Sequence, residues 1–75
     1  MRKIHPGEVL REEFCIPKMM NTETLAEKMG VDYKVARRLM IEQQEITPVL
    51  AEKLAKVFDT SAEFWLALQS SFERL

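Results

Sequence analysis

Apolar residues recur along most of the chain at intervals of three and four positions, which is the spacing of one face of an α-helix. A sustained alternation of apolar and polar residues, which would indicate strands, does not occur in the sequence. Helix-start signals divide the pattern into five short segments, which begin after His5, Asn21, Asp32, Thr47 and Ser61. The sequence therefore predicts an all-α domain of five helices.

Prolines mark the boundaries of two of these helices. Pro6 and Pro48 suit the first helical position, where the missing N–H would have no partner in any case. Pro17 ends the first helix, because proline cannot continue a helical hydrogen-bond ladder.

The fifth helix begins after Ser61, and Thr60 is an alternative cap with Glu63 three residues on.

The segment from Asn21 to Met40 predicts two short helices joined by a tight turn. Asn21 is a good N-cap for the first of them, and Gly30 suits the left-handed position at its end. Asp32 caps the next helix at once. This is the layout of a helix-turn-helix, whose second helix enters the major groove of DNA.

The third predicted helix has the two faces that such a role requires. Ala36, Leu39 and Met40 follow i, i+3, i+4 spacing and are expected to face the core. The opposite face carries side chains that bind bases or phosphates, namely Tyr33, Lys34, Arg37 and Arg38. An ordinary solvated helix has the same polar face, so DNA binding and a purely structural role both remain open at this point.

The length of 75 residues limits the chain to a single domain over 1–75. The chain has 11 basic and 12 acidic residues, so its overall charge gives no argument for nucleic acid. The distribution is uneven: residues 1–38 hold eight basic and six acidic residues, whereas residues 39–75 hold three and six. Any basic surface that meets phosphate is therefore expected in the first half of the chain.

Several functional classes are excluded by the residue types present. The single cysteine, Cys15, excludes a disulfide scaffold and indicates a reducing compartment. One Cys and one His do not make a zinc site, and no nucleophile–base pair is recognisable, so we expect no cofactor and no enzyme. No apolar run approaches the roughly 20 residues of a membrane span, and the first residues lack an apolar h-region, so we expect no signal peptide. We expect a cytoplasmic protein.

Three further positions have structural interpretations. Cys15 is expected to be a small buried hydrophobe. His5 is expected to cap the first helix or to lie on the surface. Met19 and Met20, between the first two helices, are expected to fill the core rather than form an adaptable surface for a partner.

Two segments make the sequence resemble a known family. Residues 5–14, His-Pro-Gly-Glu-Val-Leu-Arg-Glu-Glu-Phe, are similar to the N-terminal signature of HigA/VapI-type antitoxins, which belong to the Xre-like helix-turn-helix class. Residues 60–69, Thr-Ser-Ala-Glu-Phe-Trp-Leu-Ala-Leu-Gln, resemble a later part of the same family. The resemblance covers nearly the whole chain and implies a five-helix, λ-repressor-like domain.

The resemblance also implies a function and partners. Members of the family form homodimers, bind a palindromic operator in double-stranded DNA, repress their own operon and neutralise a ribonuclease toxin of the HigB type. Carried over by position, the DNA-facing residues are Asn21, Thr22, Tyr33, Lys34, Arg37 and Arg38. The dimer face is expected to include residues of the last helix, namely Phe64, Trp65, Leu68 and Phe72.

The segment after the third helix departs from the family pattern. Family members usually have a short Asn-Gly-Lys/Arg turn there, whereas residues 41–45 read Ile-Glu-Gln-Gln-Glu. Acidic groups near phosphates weaken DNA binding, and the glycine normally supplies a positive φ. The alternative hypothesis is therefore a toxin- or protein-binding module on the same scaffold, with weak or lost operator binding.

Overall fold

Five helices account for most of residues 2–74, which are the residues that the structure, a computed structural model, describes. The first begins as α1 (Pro6–Val9) and continues without a break as a π-helical segment (Leu10–Cys15). No strand occurs within residues 2–74, so the predicted all-α class is confirmed. The other four helices are α2 (Thr22–Met29), α3 (Tyr33–Met40), α4 (Pro48–Phe58) and α5 (Ala62–Glu73).

Each predicted cap residue accepts a hydrogen bond from a backbone N–H in the first turn of its helix. The five caps are His5, Asn21, Asp32, Thr47 and Ser61, with donor–acceptor distances of 2.8 to 3.3 Å. These bonds satisfy donors that a helix leaves unpaired at its start, which is why the local sequence fixes the boundaries so well. The alternative cap, Thr60, instead accepts a hydrogen bond from the indole Nε1–H of Trp65 at 2.8 Å.

The change from α to π geometry in the first helix was not predicted. The N–H of Ile16 donates to the carbonyl of Arg11, five residues earlier, at 2.9 Å. The wider turn alters the angular spacing of the side chains, so that Leu10 and Cys15 are both fully buried while Arg11 stays at the surface. Arg11 thereby lies close enough to α3 to contact its last residue.

The core is formed by the inward faces of all five helices. Leu25, Leu39, Leu54 and Trp65 are completely buried. Phe14 packs against this group from the π-helical segment, with its ring centroid 5.2 Å from that of Trp65. Helices α2 and α3 pack together as one pair and α4 and α5 as another, so the predicted helix-turn-helix is held between α1 and α4.

The two methionines between the first helices differ in their surroundings. Met20 is half-buried and packs against the core, as expected. Met19 is 94% exposed and has a φ of 55°, so its predicted role in filling the core is wrong. The left-handed backbone at Met19 turns the chain back on itself between Pro17 and Asn21, and this turn directs the side chain outwards.

Candidate nucleic-acid interface

Helix α3 separates an inward face from an outward face along its whole length. Ala36 and Leu39 are completely buried. The four residues of α3 that the sequence assigns to DNA are all exposed, and Tyr33 keeps 46% of its surface in contact with solvent. A helix of this kind can offer side chains to a partner without losing its own packing, which is what base recognition in a groove requires.

The turn before α3 brings the beginnings of α2 and α3 together. Gly30 has a φ of 71°, and the N–H groups of Gly30 and Val31 donate to the carbonyls of Glu27 and Ala26. This is the Schellman arrangement, which terminates α2 and allows Asp32 to cap α3 two residues later.

An open depression at this corner is lined by both Asn21 and Tyr33, so the structure brings these two predicted DNA-facing residues together. Thr22, the first residue of α2, is half-buried beside it. Glu23 and Glu27 also line the depression and make it less favourable for an anion. Lys34, Arg37 and Arg38 lie further along α3 and supply the positive charge of the surface.

The segment after α3 is acidic, but its first carboxylate is turned towards the first helix. Glu42 has a φ of 63°, the left-handed conformation that glycine would supply in the family pattern. Its Oε2 lies 3.2 Å from Nη2 of Arg11. The guanidinium of Arg11 also contacts Glu12, and these carboxylates raise the pKa of Arg11 from its ordinary value. Glu42 therefore forms an ion pair within the molecule, with a guanidinium that it shares with Glu12.

The same segment is held at two further points. Oε1 of Gln44 accepts a hydrogen bond from Nε of Arg38 at 3.2 Å, so one of the predicted DNA-facing arginines is already oriented in the free protein. At the far end, the backbone N–H of Ile46 donates to Oε1 of Gln69 at 2.8 Å. Gln69 lies on α5 and is only 7% exposed. The sequence analysis did not identify Arg11 or Gln69, although both belong to the two segments that carry the family resemblance.

Close packing explains why the N-terminal signature has a glycine at position 7. A Cβ at this position would overlap the carbonyl oxygen of Leu39, so only glycine allows α1 to approach the end of α3 so closely. Beside it, Nδ1 of His5 accepts the N–H of Gly7, and the imidazole packs edge-on against Phe72 at 4.7 Å. Burial lowers the pKa of His5, which favours the neutral ring that the cap requires.

The residues predicted for a dimer face do not share one environment. Trp65 is completely buried and its indole N–H is satisfied by Thr60, so the monomer leaves it no surface for a partner and its assignment to the dimer face is wrong. Phe64 is 38% exposed, and Phe72 is half-buried against His5. Leu68 lines a shallow groove together with Ile4 and Val9, which were not assigned to the dimer face.

No metal-binding arrangement occurs among the residues described. Residues 2–74 contain no cluster of three or more His, Cys, Asp or Glu side chains that could hold a metal ion. Cys15 is buried as expected, and burial raises the pKa of its thiol to about 11, which keeps it protonated and unreactive. None of the helices in this part of the chain is long and apolar enough to cross a membrane.

The fold and the exposed face of α3 define a helix-turn-helix protein, and comparison with known proteins gives the same class. An HTH-type transcriptional regulator of Haemophilus influenzae is 42% identical over 67 residues, which are 89% of this chain and 63% of that protein. Antitoxin HigA-1 of Vibrio cholerae is 35% identical over 72 residues, 96% of this chain and 68% of the antitoxin. No family model matches the chain.

Solved structures extend this similarity to the backbone. The Pseudomonas aeruginosa antitoxin HigA, determined with the higBA promoter, superposes with a TM-score of 0.93 at 39% identity, over 95% of this chain and 77% of the antitoxin. The chain belongs to the HigA family of helix-turn-helix antitoxins. Its relatives are antitoxins and transcription regulators rather than enzymes, which agrees with the class expected from the sequence. The chain spans just under two thirds of the Haemophilus regulator, so the relatives are longer proteins.

Proposed function

We propose that the chain is an antitoxin that binds operator DNA through α3 and represses its own operon. The observation that carries this proposal is the outward face of α3, where Tyr33, Lys34, Arg37 and Arg38 are exposed on a helix whose other face completely buries Ala36 and Leu39. Operator binding by the similar Pseudomonas antitoxin, which was solved with its promoter, supports the same assignment. Asn21 and Thr22 contact the DNA backbone at the start of α2, where free N–H groups favour phosphate.

The protein acts as a homodimer in the cytoplasm. A single helix-turn-helix makes few contacts, and two copies reading half-sites about one helical turn apart are the usual solution. The dimer face consists of Phe64, Leu68 and Phe72, which follow one another at i, i+4 spacing on α5. A ribonuclease toxin of the HigB type is the second partner, and the antitoxin neutralises it.

The DNA proposal is tested by titrating the protein against the duplex upstream of its own coding sequence and against a random duplex, at several salt concentrations. We expect a clear preference for the upstream duplex. Replacing Arg37 with Ala removes a base contact, costs about 1–3 kcal/mol and relaxes the preference at one base pair. Replacing Arg38 with Ala removes a phosphate contact and weakens binding to all duplexes alike. It also lowers by about one the slope of the logarithm of the binding constant against the logarithm of the salt concentration.

Equal and weak binding to both duplexes, unchanged in Arg37→Ala, would contradict operator recognition. The protein-binding module would then be the better description. The acidic segment 42–45 favours that alternative, because carboxylates repel phosphates. The contact of Glu42 with Arg11 weakens this argument for one of the two carboxylates.

The dimer proposal is tested by sedimentation at tens of micromolar protein. Leu68→Glu places a charge on the proposed face and should give monomers, whereas Ala67→Glu changes an exposed neighbour on α5 and should leave the dimer intact. A wild-type protein that sediments as a monomer would contradict the proposal.

The toxin proposal is tested by co-expression with a basic protein encoded in the adjacent reading frame. The antitoxin should relieve that protein's toxicity.

A further inference from the structure

The carboxy-terminal turn of α3 has four carbonyl groups that the helix cannot satisfy by itself. Backbone N–H groups of residues 41–43 donate to the carbonyls of Arg37, Leu39 and Arg38. The remaining carbonyl, that of Met40, accepts a hydrogen bond from Nη1 of Arg11 at 2.6 Å. The end of the proposed DNA-reading helix is thus completed by a side chain 29 residues earlier in the sequence.

The same guanidinium holds the first acidic side chain after the helix. Nη2 of Arg11 lies 3.2 Å from Oε2 of Glu42, and the left-handed backbone at Glu42 is part of the turn that carries its carboxylate to this contact. Both side chains are about one third exposed, so the pair contributes little to stability. Its effect on a nearby polyanion is larger, because a free carboxylate within a Debye length of about 8–10 Å repels phosphates.

We propose that Arg11 is a positioning residue for operator binding, which fixes the end of α3 through Met40 and keeps the carboxylate of Glu42 away from the DNA backbone. This inference rests on the proposed DNA-binding function. It explains how a chain with an acidic segment at this place retains operator affinity. Arg11 does not touch DNA itself; it acts through the helix end and through Glu42.

The experiment compares four proteins of the same length by titration against the upstream duplex and a random duplex at 50 and 200 mM salt. Arg11→Met removes the contacts with Met40 and Glu42, together with the contact with Glu12. Arg11→Met with Glu42→Gln restores the net charge of the wild type and removes the freed carboxylate. Arg11→Met with Glu12→Gln restores the same net charge but leaves Glu42 free, because Glu12 contacts Arg11 from its own helix and does not reach α3.

We expect Arg11→Met to weaken operator binding about tenfold at 50 mM salt, and less at 200 mM, because salt screens the repulsion. Adding Glu42→Gln to Arg11→Met should recover several-fold more operator affinity than adding Glu12→Gln does. Equal recovery by the two would show that only net charge matters and would overturn the proposal. Unchanged binding by Arg11→Met would overturn it as well.

A second variant separates geometry from charge and does not depend on the Met variant folding. Arg11→Lys keeps the charge, but a single ammonium cannot reproduce the planar fork that reaches Met40 and Glu42 together. We expect the salt slope to stay as in the wild type and the ratio of operator to random binding to fall. An unchanged ratio in Arg11→Lys would overturn the inference about Arg11. The proposed function would still stand in that case, provided that the wild type prefers the operator. A wild type without that preference would overturn both.

Discussion

The two connections that flank α3 are stabilised in different ways. The turn before it, residues 29–32, uses only its own backbone: Gly30 takes a left-handed conformation and two N–H groups return to carbonyls of α2. The connection after it, residues 41–47, is held by side chains from distant positions, Arg11 on the first helix and Gln69 on the last. The first is a local motif, and the second depends on the tertiary fold.

This difference determines what each connection contributes. A local motif forms with its helices and costs little loop-closure entropy. The connection after α3 contacts Arg11 through Glu42 and Gln69 through Ile46, so it is ordered only when the first and last helices have both docked. We therefore expect the largest stability effect at the buried distant anchor, Gln69, and a smaller one at the local turn.

The largest effect is expected for Gln69→Leu. Leucine fits the space but leaves the N–H of Ile46 without its acceptor, which costs about 2 kcal/mol of unfolding free energy. Urea unfolding measures the loss, and the amide of Ile46 should exchange faster with solvent. The same change at exposed Gln43 is the matched control and should alter stability very little. Similar losses at both positions would contradict the role of Gln69.

A smaller effect is expected for Gly30→Ala. No atom lies within 4 Å of the new Cβ, so the cost comes only from the backbone at a φ of 71° and amounts to about 1 kcal/mol. Gly30→Asn should cost less, because asparagine tolerates this conformation. A Gly30→Ala variant that loses more stability than Gln69→Leu would reverse the proposed order of the two connections.

The smallest effect is expected from acidification. Burial lowers the pKa of His5, so the unfolded chain takes up a proton at a higher pH than the folded protein does. The stability linked to His5 is complete above pH 6.5, the ordinary pKa, and decreases as the pH falls below that value. The loss should stay near or below about 1 kcal/mol, the usual contribution of a helix cap.

Urea unfolding between pH 5 and 7.5 measures this effect, in a range where carboxylates of ordinary pKa stay ionised. His5→Asn keeps a capping acceptor that does not titrate, so its stability should be independent of pH over the same range. A wild-type protein that is equally stable at pH 5 and 7.5 would rule out a contribution from His5.

The sequence predicts the parts of this fold that local interactions determine. Its cap residues and Gly30 each act within a few positions of one another, and their placement is confirmed. The contact of Arg11 with Met40 spans 29 residues and depends on a π-helical turn that has no local signal in the sequence. Trp65 was misassigned for a related reason: an aromatic residue on an amphipathic helix gives no indication of whether its own core or a partner covers it.

The same difference between local and long-range interactions applies to the candidate site. The exposed face of α3 is a matter of helical periodicity, so the exposure of Tyr33, Lys34, Arg37 and Arg38 follows from their spacing. The orientation of Glu42 was not, because the sequence shows an acidic residue where a glycine is usual but does not show which side chain it contacts. The sequence therefore shows the acidic charge of this segment but not the contact of Glu42 with Arg11.

The two faces of α3 also have a consequence for how such a protein can change. The residues that attach the helix to the rest of the molecule, Ala36 and Leu39, are distinct from those on its outward face. Substitutions at positions 33, 34 and 37 consequently leave the scaffold intact, whereas position 38 is linked to the following segment through Gln44. If α3 reads an operator as proposed, duplicated copies of such a gene would diverge towards separate operators by exchanging three side chains, with the folded framework inherited unaltered.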